Sequence, residues 1–524
     1  MYQILVADAI NAEGLEPLLG LEEAEIIEKK TDDPEVRLED IDALLVRSAT
    51  KVTEALLNQM PRLKIIARAG VGVDNIDVPA ATKKGIIVIN APDGNTISTA
   101  EHTFAMMASL MRNIPQAHSS VKNLEWKRNA FIGTELYSKR LGIVGMGRIG
   151  SEIAKRAKVF GMNVNVFDPF LTKERAAKLG VESSTLDELL GVADIITVHT
   201  PLTPETKGII NEEALKKTKK GIYLLNCARG GIIDEQDLAK YVANGHVGGV
   251  ALDVFEAEPP GEHPLLKYDN VIVTPHLGAS TKEAQLNVAT QVAKEVRSFF
   301  EGKPVSSSIN LPAISNDVYE KIQPFYQISK QIGHILSQCV KEGVHELSVT
   351  YSGSVTDLET TYLTKAMLSG FFKNRIDVNV NEVNALLTAK ERGITVGEKI
   401  STDAFGYDNC IAVTAKGEES AFTVRGTFID HYGPRIVYLN GFNIDFLPEG
   451  NLLYIQHMDR PGVIGHVGQI LGDQGINIAT MQVGRKKAGG EAIMVLAFDK
   501  PLSEAELTSL EKLDEIVSIN PIIL

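Results

Sequence analysis

Cysteine is scarce in this 524-residue sequence, which contains only Cys227, Cys339 and Cys410. The three lie far apart and form neither a Cys-x-x-Cys pair nor the ligand spacing of a zinc site. This pattern argues against a disulfide-bonded scaffold and against a structural metal ion. We therefore expect the protein to use no metal.

Long apolar runs are also missing. No stretch approaches the roughly 18 consecutive apolar residues that a membrane-spanning helix requires. The first residues, MYQILVADAI, have no basic segment, and their apolar run is too short for a secretory signal. We therefore expect a cytoplasmic protein that does not engage a membrane.

Positive charge is in deficit, because 53 Lys and Arg residues face 67 Asp and Glu residues, for a net charge of −14. A surface that binds nucleic acid is rich in positive charge, so we expect no nucleic-acid partner. The balance still permits a local basic pocket for an anionic metabolite.

Short apolar runs that alternate with helical segments make up most of the first 300 or so residues, as in parallel sheets with helical crossovers. One block runs from YQILVADAI to GIIVINAP. A second runs from KRLGIVGMGRIG to NVIVTPHLGAST. A linker, KPVSSSINLP, follows, and after it come an amphipathic helix and a mixed region. The length predicts about three or four domains.

The segment GMGRIG directly follows the apolar strand LGIVG and opens a helix, so Gly145, Gly147 and Gly150 match the Gly-x-Gly-x-x-Gly pattern. Glycines there permit a tight turn and close approach of a pyrophosphate to the helix N-terminus. The next strand, NVNVFD, ends at Asp168, where a carboxylate would bind ribose hydroxyls and repel a 2′-phosphate. The pattern predicts NAD as cofactor.

Three residues further along the chain are candidates for chemistry. Arg229, in NCARGG, follows an apolar strand and could bind a substrate carboxylate and polarise its C2 oxygen. Glu258, in ALDVFEAEPP, could hold His276, in TPHLGAST, in one tautomer for proton transfer. Taken singly, each also fits a plain structural role: an ion-paired arginine, a solvated acid and a polar residue that closes a strand.

The motifs GMGRIG, HTPLTPETKGIIN, NCARGG, ALDVFEAEPP and TPHLGAST occur in this order and at these spacings. In this respect the chain resembles the D-2-hydroxyacid dehydrogenases. The resemblance implies a flavodoxin-like catalytic domain made of residues 1–96 and 288–310. A Rossmann NAD-binding domain, residues 97–287, would be inserted in it, with the active site in the cleft between them.

The resemblance also implies site roles, with Arg229 as the carboxylate binder, Glu258 as the histidine partner and His276 as the acid–base. It implies that the following residues contact the cofactor: Val71, Gly145, Gly147, Arg148, Ile149, Gly150, Asp168, Thr200, Cys227, Ala228, Arg229, Asp253, His276, Gly278 and Ala279.

Members of the family with these motifs oxidise 3-phospho-D-glycerate to 3-phosphohydroxypyruvate, the first step towards L-serine, and we expect that substrate here. A substrate phosphate needs cations, and Arg47 and Arg68 both end apolar strands. The predicted substrate contacts are Arg47, Ser48, Arg68, Gly70, Val71 and Arg229, with Arg128 as a further candidate that also fits a solvated surface charge.

The C-terminal segment, with DRPGVIG between a strand and a helix and GINIATMQ as a later strand, resembles an ACT regulatory module. The resemblance implies a ferredoxin-like domain at 451–524, and L-serine as an effector held by His457, Asp459 and Asn477 where two copies meet. A dimerisation module without a ligand is the alternative. Residues 315–447 match an α+β intervening domain of the longer family members, which form dimers or tetramers, so we expect a homo-oligomer.

Two other readings of the sequence stay open. One is a related dehydrogenase that acts on glycerate, lactate or a similar acid. The other is a redox-sensing binding protein, like the transcriptional corepressors that share this fold and keep the same three residues. The ACT-like segment and the acidic composition favour a metabolic enzyme, and turnover would separate an enzyme from a sensor.

Overall fold

The computed structural model describes residues 1–312, 314 and 316–524. Its strands form four sheets of five, seven, six and four strands. No helix in those ranges is both long and apolar enough to cross a membrane.

The first sheet is built from residues 2–89. Its elements are β1 (Tyr2–Val6), α1 (Glu16–Leu19), β2 (Ala24–Glu28), β3 (Ala43–Val46), α2 (Glu54–Leu57), β4 (Ile65–Arg68), α3 (Val78–Lys83) and β5 (Ile87–Ile89). The strands are parallel, in the order β2-β1-β3-β4-β5. The central strand β3 is buried throughout, as its unbroken apolar run predicts for a parallel sheet covered on both faces.

The second sheet is also parallel and has seven strands. With its helices it comprises α4 (Thr96–Met111), α5 (Ile114–Lys122), β6 (Arg140–Val144), α6 (Arg148–Val159), β7 (Asn163–Phe167), α7 (Lys173–Leu179), β8 (Glu182–Ser183), α8 (Leu186–Val192), β9 (Ile195–Val198), α9 (Glu212–Lys217), β10 (Ile222–Asn226), α10 (Glu235–Ala243), β11 (Val247–Leu252) and β12 (Val271–Val273). The strand order β12-β11-β10-β9-β6-β7-β8 reverses direction between β6 and β9, and a ligand crevice forms at such a point.

The chain then returns to the first sheet through α11 (Lys282–Phe300). Val288, Val292 and Val296 on this helix pack in the same core as Ile4 and Leu15. The spacing of three to four residues puts these valines on one face of the helix. The helix begins before residue 288, where the sequence predicts the return.

The third sheet has six strands and is mostly antiparallel. Its elements are α12 (Asn316–Cys339), β13 (Val344–Gly353), α13 (Thr360–Phe372), α14 (Ala385–Glu391), β14 (Thr395–Ser401), β15 (Asn409–Gly417), β16 (Ala421–Ile429), β17 (Gly433–Leu439) and β18 (Phe442–Phe446). The order is β14-β13-β15-β16-β17-β18, and only the β13–β14 pair is parallel among these described strands.

The fourth sheet closes the described chain with a βαββαβ unit. Its elements are β19 (Asn451–Met458), α15 (Val463–Asp473), β20 (Ile478–Arg485), β21 (Glu491–Phe498), α16 (Glu504–Glu511) and β22 (Ile516–Ile523). All pairs are antiparallel, in the order β20-β21-β19-β22, which is the ferredoxin-like arrangement.

The predicted fold class is confirmed: a Rossmann unit lies within a flavodoxin-like unit, and an α+β unit and a ferredoxin-like unit follow. The exact domain limits stay predictions. Residue 315, the predicted first residue of the intervening domain, lies outside the described residues.

Candidate active site

A cavity of about 1010 Å³ lies between the loops of the first two sheets. The carboxyl ends of parallel strands meet there, which is where open α/β sheets bind ligands. The predicted site residues that line it are Arg47, Ser48, Arg68, Gly70, Val71, Arg229, Glu258, His276 and Ala279.

The imidazole of His276 is held by a carboxylate at the cavity wall. Its Nδ1 lies 2.8 Å from Oε2 of Glu258, while Oε1 of Glu258 accepts a bond from the backbone N–H of Phe255 at 3.1 Å. The carboxylate therefore favours the tautomer with the proton on Nδ1 and the lone pair on Nε2. A base in that tautomer can accept a proton from a substrate in the cavity.

The backbone of His276 has φ 54°, in the left-handed region that few residues other than glycine adopt. Two carbonyl groups hold this conformation, because the His276 N–H donates to Asp253 O at 2.9 Å and to Thr274 O at 3.0 Å. Backbone in this region costs free energy, and residues that adopt it are often found at functional sites.

The carboxylate of Asp253 organises the loop that follows His276. It accepts from the Thr274 hydroxyl at 2.6 Å, from the N–H of Leu277 at 2.7 Å and from the N–H of Gly278 at 2.8 Å. Burial opposes ionisation of this group, but these bonds and the contact with His102 hold the pKa of Asp253 below its ordinary value. Asp253 therefore acts on the His276 loop as an ionised anchor.

Arg229 follows β10 and reaches the cavity with its guanidinium. Its Nη1 donates to the carbonyl of Ala228 at 2.7 Å, and its Nε donates to Oδ2 of Asp74 at 3.1 Å. A side chain at residue 72 would collide with it, because a Cβ on Gly72 would lie 2.0 Å from Nη2. Glycine at residue 72 leaves the space that the guanidinium occupies.

Arg47 and Arg68 add further positive charge to the lining of the cavity. The Arg68 Nε is buried and has no hydrogen-bond partner among the described residues. Burial, together with the positive charge of Arg229, lowers the pKa of Arg68 to about 10. A half-buried cation that lacks a full set of partners is suited to an anionic ligand.

The predicted cofactor turn has the shape that a dinucleotide needs. A Cβ on Gly150 would lie 2.2 Å from Gly145 O, and Gly145 has φ 99°, so both positions require glycine. A Cβ on Gly147, in contrast, would meet no atom within 4 Å, which leaves open space before α6. No side chain caps the N-terminus of α6 in the described structure, so its N–H groups can face a pyrophosphate.

Asp168 lies directly after β7 and beside this turn. Its Oδ2 accepts from the N–H of Met146 at 2.7 Å, and its Oδ1 accepts from the N–H of Phe170 at 2.8 Å. Thr200, after β9, has a buried hydroxyl with no partner among the described residues. These positions fit the ribose and phosphate groups of NAD.

Of the other predicted cofactor residues, Arg148 and Ile149 begin α6, and Cys227 and Ala228 directly follow β10, the strand next to β9. Arg148 pairs with Asp93 at 2.5 Å, and Ile149 packs against the core of the second sheet. Cys227 is buried, and burial raises the pKa of its thiol to about 12, so it stays protonated. A protonated thiol can pack against a cofactor but is not a nucleophile.

The chain does not bring every predicted residue into these sites. Arg128 lies in a short 3-10 helix, Arg128–Phe131, and is not among the residues that line the cavity. The sequence gives no information on where this exposed segment folds.

The predicted effector residues are also separated within one chain. His457 is level with Arg485 along the sheet, whereas Asn477 precedes β20 at the opposite end, about 25 Å away at roughly 3.3 Å per residue. Asp459 accepts bonds from Arg485 at 3.0 Å and from the N–H of Gly489 at 3.1 Å. The buried Nε2 of His457 has no partner among the described residues.

The structure adds residues that the sequence analysis missed. Asp74 and Lys51 line the cavity, and His102 Nε2 lies 3.2 Å from the Asp253 carboxylate. Each had a signal: an acid in the glycine-rich GVGVDNID, a second cation after Arg47 in RSATK, and a single histidine in an apolar helix.

Comparison with known proteins agrees with this geometry. The model of the D-isomer specific 2-hydroxyacid dehydrogenase NAD-binding domain matches residues 104–278. The D-3-phosphoglycerate dehydrogenase intervening domain matches 321–440, and the ACT domain matches 452–515. A solved D-lactate dehydrogenase from Aquifex aeolicus, complexed with NAD and lactic acid, is 33% identical with a TM-score of 0.52 and covers 57% of this chain and 96% of its own.

Fold and site therefore define an NAD-dependent dehydrogenase of the D-2-hydroxyacid class. The D-3-phosphoglycerate dehydrogenase of Bacillus subtilis is 61% identical over 519 residues, 99% of each chain, and that of Methanocaldococcus jannaschii is 44% identical over 524 residues, 100% of this chain and 99% of its own. The chain belongs to the D-3-phosphoglycerate dehydrogenase family.

Proposed function

We propose that the protein oxidises 3-phospho-D-glycerate to 3-phosphohydroxypyruvate, the first step towards L-serine. The observation that carries this proposal is one cavity that is lined by three arginines and by the His276–Glu258 pair. A small acid with both a carboxylate and a phosphate matches that distribution of charge. Relatives that share almost the whole chain are named for this activity.

In this proposal Arg229 binds the substrate carboxylate and polarises the C2 oxygen. His276 takes the hydroxyl proton at Nε2, and Glu258 stabilises the imidazolium that forms, since it bonds to Nδ1. Bound NAD supplies the acceptor for the hydride from C2. In the reverse direction the protonated histidine returns its proton to the oxygen.

Arg47, Ser48 and Arg68 bind the phosphate in the same proposal. The support is the position of Arg68, whose buried Nε has no partner among the described residues and whose guanidinium lies near a second cation. Charge-assisted hydrogen bonds to a phosphate stabilise such a group. An unphosphorylated acid would leave these donors without a partner, which disfavours its binding.

We further propose that the protein is a homo-oligomer, a dimer or a tetramer, and that L-serine binds between ACT units of two chains. Large apolar side chains are exposed around the segment after α5, with Leu124 96%, Trp126 79% and Ile132 78% exposed. Such a patch favours contact with another chain. Asn477 would reach His457 and Asp459 only from a second chain, since they lie at opposite ends of one sheet.

The deciding experiment measures NADH formation by the purified protein at alkaline pH. It compares 3-phospho-D-glycerate with unphosphorylated D-glycerate, each with and without L-serine. We expect turnover of the phosphorylated acid and suppression by serine. An Asp459→Asn variant serves as the matched control, because it should lose the serine response and keep the basal rate.

The other outcomes discriminate between the alternatives. Turnover of the unphosphorylated acid alone would contradict the proposed phosphate recognition but would still support a dehydrogenase. Tight NADH binding without turnover of either acid would indicate a redox sensor. Turnover that serine does not change would remove the proposed effector and leave the reaction in place.

A further inference from the structure

We propose that Asp74 is a positioning residue for the reaction: its carboxylate, on the loop after β4, orients the guanidinium of Arg229 across the cleft. The Arg229 Nε donates to Asp74 Oδ2 at 3.1 Å, and the two residues are 155 positions apart in the chain. One belongs to the first sheet's lobe and the other to the second sheet's lobe. The inference rests on the proposed function for the role of Arg229 in binding the substrate carboxylate and for the choice of substrate.

The loop that carries Asp74 is fixed on both sides. The side-chain amide of Asn75 donates to Arg47 O at 2.8 Å and to Thr50 O at 2.6 Å. The amide of Asn90 donates to Val71 O at 2.5 Å. A carboxylate on so constrained a loop has a defined position, so it can determine where a mobile arginine side chain points.

The geometry leaves part of the guanidinium available. The Arg229 Nε–H donates to Asp74, and one N–H of Nη1 donates to the Ala228 carbonyl. The second N–H of Nη1 and both N–H groups of Nη2 therefore remain available to bind a ligand. That end of an arginine can form two parallel bonds to a carboxylate. Asp74 therefore holds one edge of Arg229 and leaves another edge for the substrate.

Charge supports the same role. Arg68 and Arg229 are close enough to repel, and the Asp74 carboxylate opposes that repulsion. Without it, Arg229 would have no carboxylate partner among the described residues. Repulsion from Arg68 would then favour rotamers that point away from the substrate position.

The test compares Asp74→Ala and Asp74→Asn with the wild type, on whichever acid the wild type oxidises. We expect Asp74→Ala to lower kcat about 10- to 100-fold, the scale of a misplaced catalytic group, with unchanged NADH affinity. Asp74→Asn should retain more activity, because its amide oxygen can still accept from Nε. Asp32→Asn, at an exposed acid in the same lobe, is the charge-matched control and should match wild type.

A double-mutant cycle separates positioning from general structure. In an Arg229→Lys background, Asp74→Ala should lower kcat by a further factor of less than about three. The reason is that a lysine has no Nε edge to orient. An equal loss in both backgrounds, or equal losses for Asn and Ala, would overturn the proposal. A lower KM with kcat maintained would also overturn it, because Asp74 would then compete with the substrate. A wild type that oxidises neither acid would instead be a failure of the proposed function.

Discussion

The Nδ1 atom of His276 lies 2.8 Å from Oε2 of Glu258, which makes the two side chains one acid–base unit. The pair spans 18 residues of sequence, and a loop anchored by Asp253 holds its histidine in the left-handed conformation. The arrangement places a proton acceptor in a cavity that is also lined by Arg47, Arg68 and Arg229.

Replacement of His276 by Ala should lower kcat by about 10²- to 10⁴-fold, the range of a lost general acid–base. NADH should still bind, because the substitution does not alter the glycine turn or Asp168. A fluorescence titration measures the affinity for NADH. Glu258→Gln should lower kcat by a smaller factor, since the imidazole remains but loses its anionic partner. A His276→Ala enzyme within tenfold of wild type would contradict the assignment.

Replacement of Asp168 by Ala should relax the preference for NAD over NADP. The carboxylate is positioned beside the glycine turn by its bond to the N–H of Met146, where its charge would repel a 2′-phosphate. The ratio of kcat/KM values for the two cofactors measures the effect. Asp187→Ala, at an exposed acid paired with Lys217 on the same domain, is the control and should leave the ratio unchanged.

Replacement of Arg68 by Gln should raise the KM for 3-phospho-D-glycerate about tenfold or more. The reason is the loss of charge-assisted hydrogen bonds worth about 1.5–3 kcal/mol. The KM for NAD should stay the same, since the change lies on the substrate side of the cavity. Arg37→Gln, at an exposed arginine of the same lobe, supplies the comparison. Equal KM values for the Arg68 variant and wild type would remove Arg68 from phosphate binding.

Replacement of Asp253 by Asn should destabilise the protein at neutral pH by about 1.5–3 kcal/mol, because the Thr274 hydroxyl and two backbone N–H groups lose an ionised acceptor. The folded-state pKa of Asp253 lies below its ordinary value of 3.8, so its stabilisation is present above that value and is lost as the pH falls through the folded pKa. The difference in Tm between variant and wild type should therefore shrink in acid. A difference that is independent of pH would show that the charge is not the cause.

The local chemistry of the site was predictable from the sequence. The glycines at 145, 147 and 150 and the acid at 168 stand next to the strands and helix that they serve, so a few neighbouring residues carry the information. The alternation of apolar runs also predicts parallel sheets, because each buried strand needs an apolar segment of its own. These elements and their order along the chain could therefore be predicted without the structure.

Contacts between distant residues were decided only by the tertiary structure. The Asp74–Arg229 bond depends on how two lobes meet, and the separation of Asn477 from His457 depends on strand order in the last sheet. Arg128 is likewise not among the residues that line the cavity of this chain. No neighbouring residues in the sequence determine where the segment that carries it packs. Local propensity acts over a few residues, whereas sheet order and the approach of the lobes arise from packing of the whole chain.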